Sequence, residues 1–373
     1  VSEARYSGTF IMSSPAVTHH TILKKGGGAA RVATLIHKGL LSAGYDSQLS
    51  FEVDDTDGSR IMTPEHAACS IPSGRIVHLH ASCNTPAFLD NISKNNKIIV
   101  TLHDLKMVTG GCPYPLDCPM FLKGCPDPCP RNFPDSMESR KRSITSLLEH
   151  HAELISPSGW LARLAKRSAP ELNIKVIPNG IPWPEKQPDK KKARQQLGIN
   201  PSSRMILFAA HGGTKAQYKA GHRWMNIWNN VKKQIPEAIG FICGGDKFDI
   251  EGDLHFWPYV GREKLGLLME ASDILAYPTL ADNHPLVVLE AMSHGLPCVS
   301  YSTGGVPEQI QHEENGILVD CKNENKFIEE AVKMLELPGK CRSLGIKAYS
   351  DGMLKFSSDR MVSNYLKKYV KIM

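Results

Sequence analysis

Short apolar runs alternate along the chain with longer stretches whose apolar positions recur every three or four residues. The segments RIVHLHAS, KIIVTLHD, AELISPS and IKVIPNG are rich in Val and Ile and end in small or polar residues, and so read as buried strands. RMILFAAHGG, AIGFICGGD, DILAYPT and PCVSYST repeat the style further on. Between them, ARVATLIHKGLLSAG, SGWLARLAKRSAP and PLVVLEAMSHG carry helical periodicity. Strand–helix alternation predicts a parallel sheet with helices on both faces, and the chain runs through that pattern twice.

The alternation breaks at NGIPWPEKQPDKKKARQQLG, where prolines and a charge run gather around residues 180–192 as linkers do. The pattern therefore predicts a first α/β domain over residues 1–181, a second over 182–352, and an amphipathic helix over 353–373, after a break at Gly352. The 373 residues suit two domains. Doubly wound domains bind ligands outside the carboxyl ends of their strands, so the chemistry is to be sought in a cleft. Architecture alone does not name that chemistry.

A formal charge of +6 without any long Lys/Arg block removes nucleic acid from the expected partners. It fits anionic small molecules, an anionic membrane surface, or simply a solvated basic exterior. No apolar run reaches the length of a membrane span. The first residues, VSEARYSGTFIMSSP, lack the apolar core of a secretory signal, so the expected setting is the reducing cytoplasm. Six of the ten cysteines are scattered, whereas Cys112, Cys118, Cys125 and Cys129 cluster as C-x5-C-x6-C-x3-C. Three states are open to that cluster: four buried thiols, a structural Zn²⁺, or disulfides.

Four segments carry candidate chemistry. In ADNHPLVVLEAMSHGLPCVSYSTGGVPEQI, Asp282 lies in a loop and Glu290 eight positions on, about two turns into a helix opened by Pro285 and closed by Gly295. Such a helix start offers free N–H groups and a positive dipole end, which suit a phosphate. In HHTILKKGGGAARVATLIHKGLLSAGYD, three glycines precede a helix beginning near Ala29, a loop that lets Gly27 and Gly28 approach a ligand. It is not the dinucleotide-binding G-x-G-x-x-G. In AAHGGTKAQYKAGH, Lys219 and Lys215 could face a departing diphosphate. In VTLHDLKMVTGGCPYP, His103 closes a strand where cleft residues belong, while His78 and His80 end the preceding strand, with His80 expected in support or structure. Asp54–Asp55 falls in a polar loop away from these motifs, and no Asp-x-Asp metal motif is evident.

The Asp282–Glu290 segment resembles the E-x7-E signature of glycosyltransferase family 4, the retaining enzymes of GT-B type. The likeness extends through EAMSHGLPCVSYSTGGVPE, similar to that family's EAM-x-x-G-x-P-V-V and GG-x-P-E stretches, and in weaker form from about Ile11 to Tyr369. The chain departs from the family pattern at Asp282, where most members have Glu, and at Thr214, where the R-x4-K pair would place Arg. The cysteine stretch, about residues 105–131, looks like an insertion of an exopolysaccharide-forming subgroup.

The resemblance implies two Rossmann-like domains facing a cleft, and transfer of a hexose-type sugar from a UDP-, GDP- or dTDP-sugar to a glycan or lipid-linked oligosaccharide, with retention and without a catalytic metal or other cofactor. By the same likeness, Glu290 would hold ribose hydroxyls and Lys219 the phosphates, helped by Lys215. Asp282 and the backbone of Asn283, His284, Pro285 and Leu286 would face the sugar. Gly27 and Gly28 would meet the phosphates from the other domain, backbone near Val260 and Arg262 would cup the base, and His103 would meet the acceptor. The final helix is expected to cross back to the first domain, and a lipid-linked acceptor would put the protein at the inner membrane face. The competing readings are another GT-B enzyme, such as a pyridoxal-phosphate-dependent phosphorylase or a sugar-nucleotide epimerase, and a catalytically silent sugar-nucleotide-binding partner.

Overall fold

The computed structural model describes residues 15–56 and 61–373, so Ile11–Ser14, where the family likeness begins, lies outside it. Two sheets form. The first contains β1 (Val17–Leu23), β2 (Ser47–Val53), β3 (Ile76–Leu79), β4 (Lys97–Thr101), β5 (Glu153–Ser156) and β6 (Ile174–Val176), in the order β2-β1-β3-β4-β5-β6 and wholly parallel. The second contains β7 (Arg204–Ala209), β8 (Ala238–Gly245), β9 (Asp249–Glu251), β10 (Leu254–Pro258), β11 (Ile274–Tyr277), β12 (Cys298–Tyr301) and β13 (Gly316–Val319). Its order is β13-β12-β11-β7-β8-β10-β9, parallel except for the β9 edge. Strand order reverses beside β1 in one sheet and beside β7 in the other, which creates two topological switch points.

The Val/Ile runs form the expected strands because both faces of each sheet are covered: Ile99 and Val100 on β4, and Ile206, Leu207 and Phe208 on β7, are fully buried. β1 is different in kind. Its VTHHTIL run buries Thr18, His19, His20 and Thr21 inside a parallel sheet, between β2 and β3. Helix Gly27–Ser42 turns Val32, Ala33, Ile36 and Leu40 onto that sheet.

Three features differ from the sequence expectation. The charge run does not stay in the linker: Lys190–Leu197 is a helix, opened by Asp189, whose side chain accepts from Lys192 N at 3.1 Å, and closed by left-handed Gly198. The helix break expected at Gly352 falls at Ser357 instead, since helix Pro338–Phe356 runs straight through the glycine. Gly352 is there for packing, because a Cβ would stand 2.6 Å from the Trp183 ring. Asp54–Asp55 does not lie apart from the motifs, for β2 pairs with β1 and delivers the Asp55 carboxylate to the backbone N–H groups of Lys25 and Gly26, at 2.9 and 2.7 Å.

The last helix, Ser358–Ile372, lies on the first sheet's unit. Gly39 lets it approach closely, since a Cβ there would meet Val362 at 2.5 Å. The Tyr369 hydroxyl bonds His78 Nδ1 at 2.7 Å, and the Tyr365 hydroxyl bonds Thr101 Oγ1 at 3.0 Å. Beside it the chain crosses between the two sheets twice: Ile181 N donates to Phe356 O at 3.0 Å and Ser358 N to Ile181 O at 2.7 Å. Among the described residues no helix is long and apolar enough to cross a membrane.

Candidate functional site

The two switch points face one another across a cavity of about 450 Å³. Its walls are the carboxyl ends of β7, β8 and β11 and the segments that follow β1, β4, β6, β7, β10 and β11. Of the residues singled out in the sequence, Gly27, Gly28, His103, Lys219, Val260, Arg262, Asp282, Asn283, His284, Pro285, Leu286 and Glu290 all line it. Lys215 does not. A tight turn at Gly213–Lys215 aims its side chain at Asp246, and the two form an exposed ion pair at 2.5 Å. Cys112, Cys118, Cys125 and Cys129 line a separate, much smaller void, and none is in a disulfide.

Two helix N-termini open onto the cavity, Gly27–Ser42 and Leu286–Ser293, and neither has a side-chain cap. Their first N–H groups are therefore free to meet an anion. Cations stand nearby. Lys219 is ion-paired to Asp282, whose same oxygen accepts from the Tyr277 hydroxyl at 2.5 Å. Asp282 thus holds Lys219 in place, while its other oxygen accepts from Asn283 N at 2.8 Å.

Glu290 receives two guanidiniums, Arg31 from the first unit and Arg262 at 3.1 Å from the second. Burial pushes the Glu290 carboxyl up, to about 7, against the pull of Arg262 and His294. Arg31 was not legible as a site residue, although it lies four positions after Gly27 and so on the same helix face. It places a second cation on the cavity wall, where Lys215 is absent. Tyr114, Asn179 and Tyr277 are further cavity residues that the sequence did not single out.

The walls are tied across the cleft. The Asn283 side chain accepts from Ser158 Oγ at 2.6 Å and donates to the carbonyls of Leu102 and His103, at 3.0 and 3.2 Å. Asn179 Nδ2 donates to the His284 carbonyl at 3.0 Å. The Glu308 carboxylate accepts from Gly159 N and Trp160 N, at 2.8 and 2.7 Å, at the start of helix Gly159–Ser168.

Gly304 and Gly305 support the Asp282–Asn283 loop from behind. Gly304 has φ +64°, and a Cβ on Gly305 would sit 1.6 Å from the Asn283 carbonyl oxygen. That neighbour is backbone and cannot turn aside. Gly305→Ala should therefore displace the loop, costing about 1–3 kcal/mol of stability and weakening anion binding by tenfold or more. Calorimetry and thermal melts check both, and unchanged affinity would mean that the loop does not touch the ligand.

His103 ends a chain of imidazoles. Its Nε2 meets His80 Nδ1 at 3.1 Å, and His80 Nε2 meets His19 Nδ1 at 3.3 Å. Burial pushes His103 down to about 4, so it is a neutral ring at the cleft. His80 stands behind His103 and fixes its orientation. His284 is likewise held neutral by burial, at about 4, with Nδ1 bonded to Gln309 Nε2 at 3.0 Å.

Residues 189–351 match the family model described as "Glycosyl transferases group 1". A D-inositol 3-phosphate glycosyltransferase of Segniliparus rotundus is 25% identical over 187 residues, 46% of this chain and 41% of that protein. The UDP-Gal:alpha-D-GlcNAc-diphosphoundecaprenol alpha-1,3-galactosyltransferase of Escherichia coli is 27% identical over 183 residues, 44% of this chain and 46% of that one. The chain thus spans less than half the length of these two curated relatives. Among solved structures, Anabaena HepE in complex with UDP-glucose superposes with a TM-score of 0.69 at 16% identity, over 95% of this chain and 99% of that one. Residues 189–351 thus resemble the glycosyl transferases of group 1, within a chain that as a whole has the GT-B glycosyltransferase fold.

Proposed function

We propose that the protein is a retaining glycosyltransferase that moves a hexose-type sugar from a nucleoside-diphosphate sugar to a glycan acceptor without a catalytic metal. One observation carries the reading: Lys219, Arg31, Arg262 and two uncapped helix N-termini converge on a single cavity between facing strand ends. That is a diphosphate site with its counter-charge built in. The HepE complex with UDP-glucose and the UDP-Gal in the name of the E. coli relative support a nucleotide-sugar donor.

In this reading Lys219 and the N–H groups at Leu286 and Val287 take up charge as the diphosphate departs. Glu290 meets the ribose hydroxyls, and Tyr259–Val260 border the base. Gly27, Gly28 and Arg31 close on the phosphates from the first unit, and His103 faces the acceptor. The sugar–phosphate bond breaks and the bond to the acceptor oxygen forms on the same face of the ring. The acceptor proton passes to the departing phosphate. Asp282 and Glu290 are both ion-paired to protein cations, which favours protein charge over a bridging metal at the diphosphate.

Binding and slow hydrolysis across a panel of UDP-, GDP- and dTDP-sugars test this. Selective binding should appear for one base and fall at least tenfold in Glu290→Ala. Absence of binding by a folded protein would sink the site assignment. Binding without turnover in the presence of acceptors would favour a silent sugar-nucleotide-binding partner, and an absorbing pyridoxal phosphate would favour a phosphorylase. Retention is read from the anomeric proton coupling of the product.

The diphosphoundecaprenol in the E. coli relative's name favours a lipid-linked acceptor and a role in surface or exopolysaccharide assembly, at the inner membrane face. The +6 charge suits that face. Flotation with anionic liposomes should be salt-sensitive, and absence of flotation at low salt would remove the membrane contact.

A further inference from the structure

We propose that Cys112, Cys118, Cys125 and Cys129 form a structural zinc site, and that this site sets the loop carrying Tyr114 and Arg131 at the edge of the cleft. The four residues line one void of about 10 Å³, together with Pro115 and Arg131. That is room for about one ion-sized sphere. Four thiolates around one small space are a ligand set for tetrahedral Zn²⁺.

The loop has little else to hold it. Between β4 and helix Ser136–Glu149 the regular structure is a turn of helix at Lys106–Thr109 and a 3₁₀ turn at Pro119–Lys123. Leu116, Cys125, Asn132 and Asp135 all have φ between +48° and +60°, a backbone that side chains resist. From residue 110 to 135 the buried apolar side chains are Pro115, Phe121 and two of the cysteines themselves, Cys112 and Cys125. A segment with so small a core needs a staple.

The surroundings suit a metal–thiolate centre, which would carry a net charge of about −2. Arg131 Nη1 lies 2.9 Å from Cys112 Sγ. Backbone N–H groups of Phe133 and Arg131 donate to Cys129 Sγ. N–H donors of this kind orient thiolate ligands.

As drawn together here the four sulphurs stand apart, for among the described residues only His19, His78 and His80 bring three ligand atoms within 4.8 Å of one another. Binding of the ion would draw the sulphurs together through changes between staggered rotamers. The histidine group is not the better site. His78 commits its ring nitrogens to Tyr369 and Thr101, and His80 commits its own to His19 and His103.

The link to the cleft runs through Arg131. It bonds the Tyr114 carbonyl and, through Nη2, the Tyr218 hydroxyl at 3.1 Å, next to Lys219. Tyr114 itself lines the large cavity. Metal loss should therefore loosen the wall beside Lys219, a consequence that rests on the donor-site reading, whereas the metal site does not.

Elemental analysis of the full chain purified without chelator should find about one zinc per chain, with X-ray absorption showing four sulphurs at about 2.3 Å. Cys118→Ser should lower the zinc content at least fivefold, while Cys69→Ser and Cys321→Ser, exposed and outside the cluster, should leave it unchanged. Should the cluster variant fail to fold, mercurial titration of the wild-type protein with a zinc-sensitive dye gives the same count. Release of the metal should weaken UDP or GDP binding about tenfold, with recovery on adding zinc. Four free thiols without metal, or a mass deficit marking disulfides, overturns the site. Zinc on four sulphurs with no nucleotide bound before or after release supports the metal and instead sinks the donor reading.

Discussion

Lys219→Ala should lower kcat by about 10²–10³-fold while changing the donor KM far less. The ammonium sits between the Asp282 carboxylate and the face of Tyr277, 5.7 Å from the ring centroid. Its orientation is therefore fixed before any ligand arrives. In the proposed donor complex the diphosphate is already charged in the ground state, and the helix N-terminus at Leu286 would share in holding it. As the sugar–phosphate bond breaks, further negative charge collects on the departing oxygen, and a preset cation gains most at that moment. Lys219→Arg should restore part of the rate, because the charge survives although the reach differs. Asp282→Asn should resemble the alanine variant in kcat, since it frees the ammonium to wander. A rise in KM with kcat intact would show instead that Lys219 serves ground-state binding alone.

The second large effect is acid lability. His19, His78, His80 and His284 are buried and, chiefly through that burial, titrate well below 6.5; His19 is brought to about 3 and His284 to about 4. Below pH 6.5 the unfolded chain takes up protons on these rings and the folded chain does not. Stability is thus lost as pH falls from about 6.5 towards 4. Between pH 7.5 and 5.5 each ring contributes slightly more than about 1 kcal/mol, on the order of 5 kcal/mol for the four. Glu290 runs the other way, because its raised pKa favours the folded state as pH falls from about 7, offsetting about 2 kcal/mol. A net loss of about 3 kcal/mol is a large share of a typical folding free energy. Denaturant midpoints at the two pH values measure it, and equal midpoints would mean that the imidazole cluster is already protonated when folded.

The strands rich in Val and Ile were legible because continuous apolar runs have one good solution, the middle of a covered parallel sheet. β1 was not legible by that rule, since His19, His20 and Thr21 are buried through hydrogen bonding rather than through apolarity. The placement of Asp282, Glu290 and the glycine loop at one cleft could be read because their motif is local. Arg31 and Asp55 could not, for their partners Glu290 and Gly26 are brought to them by tertiary packing and by the β1–β2 pairing. Lys215 misled for a related reason: in a tight turn, closeness to Lys219 along the chain says nothing about which way a side chain points. Gly352 looked like a stop, yet a helix interior tolerates glycine where a neighbour such as Trp183 leaves no space for a methyl.

The paired crossing at Ile181 and Ser357 bears on how the cleft can open. Two strands of backbone bonded side by side bend easily about one axis and resist torsion about the line joining the halves, as a door on two pins swings but does not twist. Gly180 keeps the pins close, since a Cβ there would stand 2.4 Å from the Ser357 carbonyl oxygen. Opening on such a hinge would be a swing that parts Arg31 from Glu290 and Glu308 from Gly159 and returns them in register. The same two pairs would then meet at every closure, and Lys219 and His103 would come back to one geometry.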